Sequence, residues 1–181
     1  PLRLVSTDDA EFEARFALLE ERRESKRLEV DRVVEEILRD VRERGDAAVL
    51  DAIERHDGYR LTGATLSASA SEIENARAEL EPEIVDALEQ AAGRIERFHA
   101  AHVPQSWRIE GDDEFLGQEQ RPIARVAMMV PGYPPLPSTV LMLGIPARVA
   151  GVRELYLASS AERHHPAVLE AARLVGVSGV Y

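Results

Sequence analysis

Val126-Ala127-Met128-Met129-Val130, Leu155-Tyr156-Leu157 and Val180-Tyr181 are three short apolar runs, recurring about every 25–30 residues. The stretches between them read as helices. Ser138 to Val149 is one, with Gly151 just past its end. Pro166 to Val175 is the other, opened by proline and closed by Gly176. Strand and helix alternating at this period form a βαβαβ unit, which implies a parallel sheet with right-handed crossovers. The first run lacks polar alternation, the pattern of a strand covered on both faces. Pro146 lies inside the first helix and is expected to kink it.

Upstream the period changes to that of helices. Ser6-Thr7-Asp8-Asp9 is a capping cluster, and Phe12, Phe16 and Leu19 behind it share one helical face. Val30, Val33, Val34, Ile37, Leu38 and Val41 follow a strong amphipathic pattern. Gly45-Asp46 ends that helix and starts another through Val49, Leu50 and Ile53, and Asp57-Gly58 is a turn. Residues 59–69 suggest a brief strand. Ser71 is placed to cap a short helix to Leu80. Pro82 opens a long helix striped by Ile84, Leu88, Ala91, Ile95 and Phe98, which ends before Pro104. Trp107 and Ile109, a turn at Glu110-Gly111-Asp112-Asp113, and Phe115 to Gln118 predict a β-hairpin. The organisation expected is a helical region over 1–104, a hairpin linker over 105–122, and an incomplete Rossmann-like α/β unit over 123–181.

Composition narrows the function classes. The chain has 181 residues, 45% hydrophobic and 30% charged, a globular balance. A self-contained fold of that mass exposes roughly 8,700 Å². The net charge of −11 repels phosphate backbones and anionic lipid, so nucleic acid and membrane partners are not expected. No cysteine is present, which removes thiolate zinc sites, iron–sulfur clusters and a cysteine nucleophile. Lys26 is the one lysine, and it sits in no P-loop. Pro1 to Ser6 lacks the pattern of a signal peptide.

Candidate chemistry concentrates after the first strand, in Pro131-Gly132-Tyr133-Pro134-Pro135-Leu136-Pro137-Ser138-Thr139. Ligands of open α/β sheets sit at the carboxyl ends of strands, and helix N-termini hold anions. Pro131, Gly132, Ser138 and Thr139 are therefore the cofactor-binding candidates, although Ser138 equally suits a helix cap. Ser159-Ser160 falls at the same edge of the second strand. His164-His165 reads as loop, His99 and His102 as neighbours near a helix end, and His56 as a turn residue beside a helix C-terminus. These spacings offer no zinc set, and no catalytic residue emerges. The adjacent carboxylates Glu20-Glu21, Glu35-Glu36 and Asp112-Asp113 read as solvated.

Val130-Pro131-Gly132, then Pro137-Ser138-Thr139-Val140-Leu141-Met142, then Pro146-Ala147-Arg148-Val149-Ala150-Gly151-Val152, resembles the N-terminal part of histidinol dehydrogenase. Gly45-Asp46-Ala47-Ala48, Asp57-Gly58, Arg94-Ile95, Phe98-His99 and Gly117-Gln118 match in the same order. The resemblance implies a cytoplasmic oxidoreductase of histidine biosynthesis. The family oxidises L-histidinol to L-histidine in two NAD-dependent steps, with zinc and a glutamate–histidine pair, as an intertwined homodimer of longer chains. The family's zinc ligands and catalytic pair lie downstream of the matched region, so no catalytic or metal residue transfers to this chain. Met129 stands where the family carries a tyrosine that touches NAD, and Tyr133 where it carries a second glycine.

Three readings follow. One is a truncated homologue, not catalytic alone and holding no cofactor by itself. Another is a portion of a full, active histidinol dehydrogenase. The third is a small-ligand or nucleotide-binding module built on the Pro131–Thr139 loop. Self-association as a two-fold homodimer is expected, through the sheet edge at Val177–Tyr181 and the apolar stripe from Val30 to Val41.

Overall fold

The computed structural model describes residues 5–131, 134–159 and 165–181; the side chains of residues 19–28 also lie outside the description. Leu19 of the first predicted face is among them. Two compact units are present, residues 1–60 and residues 61–181.

In the first unit, α1 (Phe12–Arg44) is one helix of 33 residues and α2 (Asp46–Asp57) follows it. Gly45 makes the turn between them at φ 61°, a left-handed conformation that glycine adopts without a Cβ penalty, and its N–H bonds the Val41 carbonyl. The N-cap of α1 is Glu11; Ser6 and Asp9 instead bond each other in a turn ahead of the helix. The amphipathic stripe divides. Val33, Ile37 and Val41 are half-buried, and Ala48 of α2 is buried, while Val30, Val34 and Leu38 stay exposed. Arg44 clamps this hairpin, donating to Asp40 on its own helix and to Asp51 of α2. That hydrogen bonding holds the Asp40 carboxyl below its ordinary range.

In the second unit, α3 (Ala70–Asn75) is capped by Ser69, not Ser71. Ser69 and Glu72 form a reciprocal capping box. A 3-10 turn at Gly63–Thr65 occupies the region where a brief strand was expected. The chain continues through α4 (Pro82–Ala100), a hairpin of β1 (Trp107–Glu110) and β2 (Phe115–Gln118), then β3 (Arg125–Val130), α5 (Pro137–Val149), β4 (Glu154–Ser159), α6 (Pro166–Val175) and β5 (Gly179–Val180). α5 runs through Pro146 to Val149. The sheet is parallel, in the order β3-β4-β5. Both crossovers advance in one direction, so the right-handed rule places α5 and α6 on the same face. Val140, Leu141, Leu155, Leu157, Val168 and Val180 fill the interface between sheet and helices. α4, which the sequence groups with the N-terminal helices, packs on α5 and α6 and buries Val85 and Leu88 in this unit.

β3 departs from expectation. Met128 and Val130 are buried at 3% and 4% exposure, whereas Met129 between them is 81% exposed and Ala127 is open too. The strand is therefore covered on one face, because both crossover helices lie on that side. The bare face also carries Tyr156 and Tyr181, whose rings approach to 6.3 Å and lie over Gly179. At the amino end of this face the Tyr156 hydroxyl donates to Glu154 at 3.0 Å, and Arg125 pairs with the same carboxylate at 3.4 Å.

The Glu154 contact raises the Tyr156 phenol above its ordinary range, since ionisation would set two negative oxygens side by side. The protonated form is the one favoured on folding. That contribution is complete at neutral pH and disappears as pH climbs past the tyrosine range. An alkaline absorbance titration is expected to show one tyrosine ionising late, and Glu154→Gln to bring it earlier. An unchanged profile in that variant contradicts the contact.

Three apolar surfaces are open among the described residues: the outer stripe of α1, the bare sheet face, and the hairpin, all of whose strand residues are exposed. Trp107, Ile109 and Leu116 lie on one side of that hairpin, while Arg108 stacks over Phe115 on the other at 4.2 Å.

Candidate functional site

The carboxyl ends of β3, β4 and β5 meet the N-termini of α5 and α6. Pro131 is exposed directly after β3. Gly132, with Tyr133, lies outside the described residues. α5 begins at Pro137 with Leu136 as N-cap, so Ser138 and Thr139 are in its first turn and neither caps it. Thr139 N–H is used by the Leu136 carbonyl at 3.1 Å. The hydroxyls of Ser138, exposed, and Thr139, half-buried, have no hydrogen bond among the described residues. On the adjoining strand, Ser159 buries its Oγ without a partner among the described residues. Ser159 N–H donates to the Tyr181 carbonyl at 2.8 Å, which ties the ends of β4 and β5 together. Pro131, Ser138, Thr139 and Ser159 thus gather at one sheet edge, and none of them carries charge. Hydroxyls and a helix N-terminus suit an anionic or polyhydroxyl ligand rather than acid–base work.

His165, read from sequence as a loop residue, is the N-cap of α6: its Nδ1 accepts the Ala167 N–H at 3.2 Å. Imidazole takes the place of the usual serine or aspartate, leaving Pro166 at N1. His165→Ala is expected to cost about 1 kcal/mol in urea unfolding. A loss below a few tenths contradicts the capping role. His164 and Ser160 fall outside the described residues. His102 spends Nδ1 on the Phe98 carbonyl at 2.8 Å, and the rings of His99 and His102 flank Phe98. No group of three or more His, Asp or Glu is assembled for a metal among the described residues.

Two packing side chains away from this edge went unread in the sequence. Arg148, at the end of α5, donates to the carbonyls of Val152, Arg153 and Val175 at 3.2, 2.8 and 3.2 Å, joining the loop before β4 to the last turn of α6. Glu170 of α6 is fully buried and holds Arg173 through two bonds of 2.6 and 2.8 Å, with Arg77 at 3.4 Å. Arg77 also pairs with Glu89 of α4, so α4 and α6 are tied through one cation. The legible signal for Glu170 was a single carboxylate inside the apolar run Val168 to Ala172.

The family model described as histidinol dehydrogenase matches residues 20–181, which include the whole α/β unit and the candidate edge. The chain belongs to the histidinol dehydrogenase family. It is 40% identical over 184 residues to the histidinol dehydrogenase of Syntrophotalea carbinolica, covering 99% of this chain and 43% of that protein. The Parasynechococcus marenigrum histidinol dehydrogenase is 42% identical, with 99% and 42% covered. In three dimensions the chain is similar to the crystal structure of histidinol dehydrogenase from Elizabethkingia anophelis, with a TM-score of 0.76 and 33% identity over 84% of this chain and 36% of that one. The chain spans about two-fifths of the length of the curated histidinol dehydrogenases it matches. Among the segments carrying the family resemblance, Pro146–Val152 holds the Arg148 clamp. No helix among the described residues is long and apolar enough to cross a membrane.

Proposed function

We propose that residues 61–181 form the cofactor-facing α/β portion of a cytoplasmic histidinol dehydrogenase, and that this 181-residue chain alone does not oxidise L-histidinol. The observation that carries the reading is the coverage: nearly all of this chain aligns with relatives of which it spans two-fifths. The carboxyl edge fits one end of NAD in its donors. Ser138 and Thr139 offer hydroxyls in the first turn of α5, and Ser159 an unpartnered Oγ. NAD supplies the hydride acceptor in this family reaction; the role of this edge is to bind and orient. The described residues bring no zinc set together, so no step is routed through that metal.

The purified chain is to be incubated with L-histidinol and NAD. No NADH is expected; NADH rising in proportion to chain concentration overturns the inactivity. Calorimetry with NAD tests the edge, and absence of heat at millimolar NAD overturns the binding role. Self-association as a homodimer belongs to the same proposal but moves to another surface. The Val180 carbonyl on the outer side of β5 already accepts the Ala68 N–H at 2.9 Å, which leaves the exposed Val30, Val34 and Leu38 stripe as the favoured contact. Light scattering at 0.15 M salt is expected to give twice the 20.1 kDa chain mass, and a concentration-independent single mass contradicts it.

A further inference from the structure

Asp57-Gly58 is the one Asp-Gly pair in the sequence, and no Asn-Gly pair occurs. It lies where α2 ends: Asp57 is the last helical residue and Gly58 the C-cap, at φ 76° and ψ 10°. That left-handed conformation favours glycine, which has no Cβ to oppose it. This cap is less restrained than its counterparts. Gly45 N–H bonds the Val41 carbonyl, and Gly176 N–H bonds the Ala172 and Arg173 carbonyls. Gly58 N–H has no hydrogen bond among the described residues. The Asp57 carboxyl has no hydrogen bond or ion pair among them either. Both residues are exposed, and a Cβ built on Gly58 would meet no atom within 4 Å. Arg60 reaches back across the turn to Glu54 at 2.6 Å, but its side chain is 86% exposed, and a pair that open restrains little. A carboxyl and the next amide nitrogen are therefore both uncommitted, with open space around them.

We propose that Asp57-Gly58 is a modification site at which the chain converts its own peptide bond to a β-linked isoaspartyl bond. The Gly58 nitrogen attacks Cγ of the protonated Asp57 carboxyl. The N–Cγ bond forms, the Cγ–O bond breaks, and the hydroxyl leaves with the amide proton as water. The product is a cyclic succinimide. Water then adds at the Asp57 main-chain carbonyl carbon and breaks its bond to nitrogen. Nitrogen stays joined to Cγ, and the α-carboxyl is freed. One water leaves and one returns, so the mass is unchanged and no oxidant or cofactor enters. Other aspartates are held back. Asp40 and Asp51 lie inside helices, where the following N–H is spent on the ladder, and the residue after every other aspartate carries a Cβ that crowds the attacking nitrogen. Asp57 belongs to the fraying end of α2, where the ring-closing geometry is reached without unfolding the helix.

The product has a recognisable chemistry. The main chain gains one carbon at the end of α2 and carries a free α-carboxylate there, beside the negative end of the helix dipole. That carboxylate is the methyl acceptor of isoaspartyl methyltransferases, which use S-adenosylmethionine, so a repair enzyme of this class is the partner the site takes.

The test ages the 181-residue chain for weeks in warm neutral buffer and then maps its peptides. The peptide spanning Asp57-Gly58 is expected to resolve into two species of equal mass. The new species should accept a methyl group from S-adenosylmethionine through an isoaspartyl methyltransferase, at least about tenfold more than any other aspartyl peptide. Asp57→Glu keeps the charge but would have to close a larger ring, so it should cut methyl acceptance at least about tenfold while leaving the thermal midpoint unchanged. Since both reactants are free in the folded state, the folded chain is expected to react within about tenfold of the rate in guanidinium. Methyl acceptance spread evenly over the aspartyl peptides, absent from this one, or undiminished in Asp57→Glu would each overturn the proposal. A folded chain slowed more than that relative to the unfolded one would do so too, by showing that the end of α2 holds the turn shut.

Discussion

Glu170→Ala is expected to lower the unfolding free energy of the 61–181 unit by about 3 kcal/mol. Hydrogen bonds to a charged group contribute about 1.5–3 kcal/mol, and a truncated buried side chain adds a cavity cost. Glu170 is fully buried, and its two oxygens accept from Arg173 and Arg77. The arginines are partly exposed and can turn to water, which keeps the loss short of that for a stranded buried charge. Glu170→Gln retains the volume but only one acceptor oxygen, so its cost should fall at about half. Arg60 pairs with Glu54 on the surface and serves as the contrast; removing it is expected to change little. Chemical denaturation of the three variants decides the matter. Equal, small losses for all would show that the buried carboxylate contributes no more than a surface pair.

Gly144→Ala is expected to destabilise by about 2 kcal/mol, opposite in sign to the usual helix substitution. Alanine in place of glycine improves helix propensity by about 1 kcal/mol. At this position a Cβ would meet Val175 Cγ1 at 2.4 Å and Cγ2 at 2.9 Å, inside the contact between α5 and α6. Both neighbours belong to the core, so the collision is relieved only by moving one helix or distorting the valine, at about 1–3 kcal/mol or more. The double variant Gly144→Ala/Val175→Ala isolates the clash, and it should recover stability relative to the sum of the two single changes. Strict additivity would place the penalty elsewhere than at this crossing.

The order of elements could be read from the sequence because its signals are local. Pro166 and Gly176 bracket α6 by backbone restriction alone, and the apolar runs recur at a βα period. Family membership was legible for the same reason, through contiguous strings such as Pro137 to Met142. The limits of that reading were set by distance along the chain. The run Val126–Val130 is apolar on both sides, yet its residues do not say which side is covered in this chain. That depends on where two crossovers go. The closure of β5 comes from Ala68, more than a hundred residues earlier, and no pattern around Val180 announces it. At the candidate edge, Pro131, Ser138 and Thr139 were placed by strand-end logic and sit there, but the cap fell to Leu136 because Pro137 already sets the first helical φ. His165 was placed in the loop ahead of Pro166, where it lies, but its capping bond went unread because imidazole is an uncommon cap. Glu170 escaped notice because adjacent carboxylate pairs drew attention while a lone one did not.

The Arg148 clamp has a consequence for the order in which the molecule assembles. Its partner carbonyl on Val175 lies 27 residues further along the chain, so the clamp closes only after the second helix has packed on the first. A contact that waits for that packing is expected to form on the native side of the folding barrier, so Arg148→Ala is expected to speed unfolding more than it slows folding, which stopped-flow refolding and unfolding rates check. Arg148 therefore acts as a latch on lifetime: it governs how long the two helices stay together once joined, not how quickly they find each other.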